Sequence, residues 1–140
     1  KTTDVPAVNL LSGNTKSCGC LNHRRGSSSA SWRGTGLLSK SHWNKIVRSA
    51  KVRNIKILLT AKEAWNIYVT QQGKCALTAW PISLDLDNHT ASLDRINSDL
   101  QYSKDNIQWV HKDVNLMKHT FSNEEFISLC RAVCRFQKWK

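Results

Sequence analysis

Apolar positions recur with a helical period in several stretches of the chain and compress into two short strand-like runs, and this pattern alone predicts the elements. Trp43, Ile46, Val47 and Ala50 fall at i, i+3, i+4 and i+7, so a helix is expected over Ser39 to Arg53 with Ser39 as its cap. Its other face carries Lys40, Lys45, Arg48, Lys51 and Arg53. Thr60 and Glu63 form a Thr-x-x-Glu capping box that opens a second helix through Ala64, Trp65 and Tyr68, with Gly73 expected to end it. After a turn at Pro81, strands are expected over Ala91 to Ile96 and Asn106 to Val110, separated by the polar loop Asn97 to Asp105. A helix follows at once from His111 to about His119. The last starts on the capping box of Ser122 and Glu125 and runs through Phe126, Leu129, Val133 and Phe136. Strand, loop, strand, helix, helix is the order of an α+β domain.

Upstream, the turn-rich segment Leu10 to Arg25 closes on Cys18-Gly-Cys20. Two thiolates that close suit a metal knuckle better than a disulfide, so Cys18 and Cys20 are candidate zinc ligands, supplying two of the four that a structural zinc wants. Gly26 to Gly36, rich in Ser and Gly, reads as a flexible linker. The chain holds five cysteines, an odd count, and its first thirty residues show no leader-like progression, so a disulfide framework is not expected. Cys130 and Cys134, four apart in a helical pattern, are expected as small buried hydrophobes. A chain of 140 residues closes one modest core. No apolar run approaches the length of a membrane span, so a soluble intracellular protein is expected, in the host-cell cytoplasm or associated with the nucleoid.

Charge changes the picture more than composition does. Residues 1–60 hold eleven Lys and Arg against the single acid Asp4, whereas residues 61–140 hold ten bases against nine acids. A basic front half beside a balanced back half suits a polyanion-binding arm on a catalytic core, and charge alone does not separate DNA from RNA. The candidate contacts are Arg24, Arg25, Arg33, Lys40, Lys45, Arg48, Lys51, Arg53 and Lys118. Oligomeric state is not readable from the pattern.

Asp94 ends the first strand, and Asn115 sits one turn into the helix that should cross the hairpin. Their side-chain oxygens suit one hard cation, Mg²⁺ or Mn²⁺, which takes few protein ligands and completes its shell with water and phosphate. The plainer alternative makes Asp94 a turn cap and Asn115 an ordinary exposed helix residue.

The run Ala91-Ser-Leu-Asp-Arg-Ile-Asn-Ser98, followed by Gln101-Tyr-Ser-Lys-Asp-Asn-Ile-Gln-Trp-Val-His-Lys-Asp-Val-Asn-Leu-Met-Lys118, resembles a branch of the HNH (ββα-metal) endonucleases common in phages and mobile introns. The likeness extends back through Gln72-Gly-Lys-Cys-Ala-Leu-Thr78 and Ala50-Lys-Val-Arg53, and forward to Phe121 and Phe126. It implies a ββα-metal core with flanking helices and a basic N-terminal extension. It also implies Asp94 and Asn115 as metal ligands, Asn106 as the residue that pins the loop, and hydrolysis that leaves a 5′ phosphate, with one metal at the scissile phosphate and the departing 3′ oxygen. Leu10 to Leu21 is similar to the second half of a four-Cys zinc ribbon that precedes some of these domains. The chain begins at Lys1, where the first Cys pair would end, so a longer protein is expected. The expected division is 1–36, partial ribbon and linker, and 37–140, nuclease domain. Many relatives hold the fold with zinc between two Cys-x-x-Cys pairs. Here Cys75 alone remains, so no zinc is expected there, and Trp65, Trp80 and Trp109 are expected to supply the packing.

The departure from the family is Arg95, which stands where relatives place a His beside the metal Asp. A guanidinium cannot accept a proton near neutrality, although it can clamp a phosphate. His111, four residues before Asn115 on one helical face, is then the first candidate base, Tyr102 the second, with His42 and His89 behind them. His119 repeats the spacing and is a candidate phosphate contact. Two functions are compatible with these residues. One is a metal-dependent, homing-type DNA endonuclease; the other is a weak or inactive derivative acting as a nucleic-acid-binding or structural protein.

Overall fold

Ser39, Thr60 and Ser122 set where three helices begin. In the computed structural model, which describes residues 32–138 together with Leu11 and Ser27, each caps its helix through the side-chain oxygen. Helix α1 spans Lys40–Val52, α2 Ala61–Thr70 and α4 Asn123–Phe136. Thr60 and Ser122 each complete a reciprocal capping box with Glu63 and Glu125. Those bonds hold both carboxyl groups below the usual glutamate range. Ser122→Ala should cost about 1 kcal/mol of stability in urea unfolding, because it removes the hydroxyl that accepts from Glu125 N at the start of the helix. A loss near zero would show that α4 is held by other contacts.

Strands β3 (Ala91–Arg95) and β4 (Ile107–His111) pair antiparallel, with Leu93 opposite Trp109 and Asp94 opposite Gln108. Helix α3 (Lys112–Lys118) follows directly, capped by His111, and packs across both strands. Alternation along the strands sends Leu93 and Trp109 to one face and Ser92, Asp94 and Gln108 to the other. Trp109 is fully buried, and its indole N–H donates to Ala64 O at 2.8 Å. Gln71 completes the strand by accepting from Trp109 N and donating to Trp109 O, both at 2.8 Å. The core therefore lies between α1, α2 and the inner face of the hairpin. Residues 32–138 have a mixed α+β architecture of four helices and two two-stranded sheets.

Several expectations are corrected. The linker expected to Gly36 ends earlier: Gly34–Thr35 (β1) pairs with Leu38–Ser39 (β2), and Gly36, at φ +57, lies so close to Trp65 that a Cβ would clash. The tight turn needs the left-handed conformation and the indole needs the space. Trp80 is not a core residue but 57 % exposed, because it sits on the surface loop after Ala79 and touches the His111 ring edge-on. Cys134 is exposed and Cys130 half-buried. Of the α4 stripe, Phe126 is buried and Cys130 packs against the core, while Leu129, Val133 and Phe136 are exposed. Helix α2 stops at Thr70, before Gly73, where Gln71 closes it.

Candidate functional site

Asp94 is 5 % exposed, and its carboxylate is surrounded by donors. Gln108 Nε2 donates to Oδ2 at 2.8 Å, and Lys118 Nζ lies 3.2 Å from Oδ2 and 3.3 Å from Oδ1. Lys118 also donates to Arg95 O at 2.7 Å and is itself fully buried. This corrects the expectation that Lys118 contacts nucleic acid: a lysine with no exposed surface, committed to a buried carboxylate, has no reach to a phosphate outside. Spacing signals its place, because Lys118 lies four residues from inward-facing Val114 and shares its helix face.

Asn115 projects from α3 toward β3 and donates through Nδ2 to Ser92 Oγ at 2.8 Å, which leaves its Oδ1 as the acceptor end. Asn106 binds the loop across its neck, accepting from Asn97 N at 2.9 Å and donating to Asn97 O and Gln101 O at 3.0 and 2.9 Å. One side chain thus closes residues 97–106 into a fixed loop.

Asp94 and Asn115 share an open cleft of about 500 Å³ with Arg53, Arg95, Tyr102 and His119. Lys45 adds a third strong cation to its lining, and among the described residues Asp94 is the sole acid there, already matched by Lys118. The cleft is therefore cationic, and its guanidinium groups are anchored. Arg53 Nη2 donates to Tyr102 Oη at 3.0 Å, and Arg95 Nη1 donates to Leu100 O at 2.6 Å while lying 5.4 Å from the Tyr102 ring centroid. Such pre-positioned groups suit an anion with several oxygens.

His42 also lines the cleft, and its Nδ1 is 2.8 Å from Nε2 of His89. Burial first, then the charges of His89 and Lys45, hold His42 at about 4, below the ordinary imidazole value of 6.5. Sequence reasoning ranks this histidine behind others, although His42, Ile46, Ser49 and Arg53 make one helical line and all four face the cleft. His111 is not brought there. Its ring packs against Trp80, and its Nδ1 caps α3 by accepting from Asp113 N at 3.3 Å. A strand end that becomes a helix cap points away from the cleft-facing side of α3, so the four-residue spacing from Asn115 does not bring the two side chains together.

Of the remaining basic candidates, Arg33, Lys40, Arg48 and Lys51 are exposed, the last three on α1. Cys18, Cys20, Arg24 and Arg25 lie outside the described residues. Among the described residues no three His, Cys, Asp or Glu side chains gather to hold an ion, and no helix is long and apolar enough to cross a membrane. Comparison with known proteins found no matching family model, no matching curated protein and no matching solved structure.

Proposed function

We propose that the chain is a metal-dependent DNA endonuclease that hydrolyses phosphodiester bonds, with β3, β4 and α3 as a ββα-metal core. The observation that carries this reading is the convergence of Asp94 and Asn115 with anchored Arg53 and Arg95 in one cationic cleft. The two hard oxygen donors fit Mg²⁺ or Mn²⁺ rather than zinc, and Asp94 Oδ1 meets a single donor among the described residues, at 3.3 Å. A cation held by Asp94 and Asn115 would supply charge neutralisation at the phosphate and at the departing 3′ oxygen. Arg53 and Arg95 orient the phosphate, and their anchors at Tyr102 and Leu100 remove the cost of ordering them on binding. Asn106 keeps the loop that carries Tyr102 in register with the cleft.

The test is incubation with supercoiled plasmid, with and without Mg²⁺ or Mn²⁺. Relaxed or linear product that appears only with metal is expected. A second reading, a DNA-binding protein on the same scaffold, draws on the Lys118 contact, in which an ammonium neutralises the carboxylate a cation would use. Tight DNA binding with supercoiling retained under every condition would decide for it.

On either reading the α1 face contacts the DNA backbone. Arg48→Ala and Lys51→Ala should each weaken binding uniformly across sequences and reduce the slope of log affinity against log salt by about 0.9 for every phosphate left without its cation. A slope unchanged in the double variant would remove α1 from the interface.

A further inference from the structure

We propose that His42 is the proton acceptor for the attacking water and that His89 sets its reactive tautomer, an inference that rests on the nuclease reading above. His42 is carried into the cleft by α1, whereas Asp94 and Asn115 come from β3 and α3, so an acceptor enters the same cleft from a separate element. Its ring is braced edge-on by His89, with centroids 4.2 Å apart, and by the fully buried Trp109, at 6.2 Å. An imidazole held from two sides has its free nitrogen directed rather than mobile.

One hydrogen lies in the 2.8 Å contact between His42 Nδ1 and His89 Nε2, and only one of the two nitrogens can donate it. We assign it to His42 Nδ1, so that neutral His89 accepts through Nε2 and His42 Nε2 keeps its lone pair for the water. This is the logic of an orienting partner in a catalytic triad, with a neutral imidazole in place of the carboxylate.

Charge keeps the acceptor ready. Lys45 and Arg53 on α1, Arg95 on β3 and His119 after α3 line the same cleft, Asp94 is matched by Lys118, and Lys112 acts on His89. Burial and Lys45 leave the His42 ring uncharged at neutral pH. A phosphate bound in the cleft opposes Lys45 and strengthens the base when substrate is present. In the step itself the water oxygen bonds to phosphorus and the bond to the 3′ oxygen breaks. The water proton passes to His42 Nε2, and the departing oxygen takes a proton from solvent.

The experiment uses the full 140-residue chain with Mg²⁺ and a plasmid substrate, together with nitrogen-detected NMR of the histidine rings. His42→Ala is expected to lower the single-turnover rate by about 10²–10⁴-fold with DNA affinity little changed, and to abolish the acid limb of the pH–rate profile. Added imidazole should restore part of the rate in His42→Ala and none in Asp94→Asn. His89→Leu should lose about 10–100-fold, while His89→Gln, whose amide oxygen still accepts from His42 Nδ1, keeps most of the activity. The spectra of the metal-free wild type should show hydrogen on Nδ1 of both rings. Normal cutting by His42→Ala, or hydrogen on His42 Nε2, overturns the proposal. A wild type that cuts no DNA while its rings show the expected pattern overturns the nuclease reading itself, and the acceptor role with it.

Discussion

On the proposed nuclease reading, Asp94→Asn is expected to reduce plasmid cleavage at saturating Mg²⁺ by about three orders of magnitude or more, while DNA affinity stays largely intact. The substitution preserves shape and still offers an oxygen to Gln108 Nε2, so the hairpin register is kept. What it removes is the negative charge for the cation and, with it, the counter-charge of the buried Lys118, so urea unfolding of the variant accompanies the cleavage assay and rates are compared where it is folded. A metal supplies several kcal/mol of transition-state stabilisation, and each 1.36 kcal/mol is about tenfold in rate. Asn115→Ala should show a comparable loss, because it withdraws the second oxygen and also leaves Ser92 Oγ without its 2.8 Å partner. Affinity is spared in both because Lys45, Arg53 and Arg95 remain in the cleft. Cutting at the wild-type rate in both variants would sink the site assignment.

Lys118→Ala should destabilise the fold by about 3–5 kcal/mol in urea or thermal unfolding, the range for breaking a buried ion pair from one side. The substitution strands a carboxylate that is 5 % exposed, and it also deletes the 2.7 Å bond to Arg95 O. Lys40→Ala, on the exposed face of α1, is the control and should stay within about 0.5 kcal/mol of wild type. The double change Asp94→Leu with Lys118→Met should recover part of the loss, since an apolar pair avoids the desolvation that a half-broken ion pair retains, while Arg95 O and Gln108 Nε2 still lack these partners. If the nuclease reading holds, Mg²⁺ should stabilise Lys118→Ala more than it stabilises wild type, because the cation then binds a carboxylate with no competing ammonium. A loss under about 1 kcal/mol in Lys118→Ala would mean that water reaches the pair and relieves it.

The candidate site is partly legible in the sequence, and the division has a physical cause. Asp94, Asn106 and Asn115 stand out because each lies at the end of a strand or one turn into a helix, where position along the chain nearly determines direction. The bonds from Asn106 to Asn97 and Gln101 span nine and five residues, well within what a loop closure encodes. His111 ranks ahead of His42 as base in the sequence because a four-residue spacing places two residues on one helical face. That rule fails at the boundary, since His111 belongs to β4 and serves as the cap of α3 rather than as a member of it. Trp80 and Cys134 mislead for a related reason: residue type reports a tendency toward burial, but a surface loop and an uncovered helix end leave such residues in water.

The sequence by itself determined the helix starts, the hairpin and the cationic face of α1. These depend on capping side chains three residues from their targets and on periodicities of two and 3.6 residues, all local to a short segment. Tertiary structure alone decided the partnerships that make the cleft. Lys118 meets Asp94 across 24 positions, His42 meets His89 across 47, and Arg53 meets Tyr102 across 49. Each bond is made only when packing removes water from one or both partners and fixes the distance between elements. No period along the chain carries that information, because the free energy of such a pair belongs to the desolvated geometry and not to either residue.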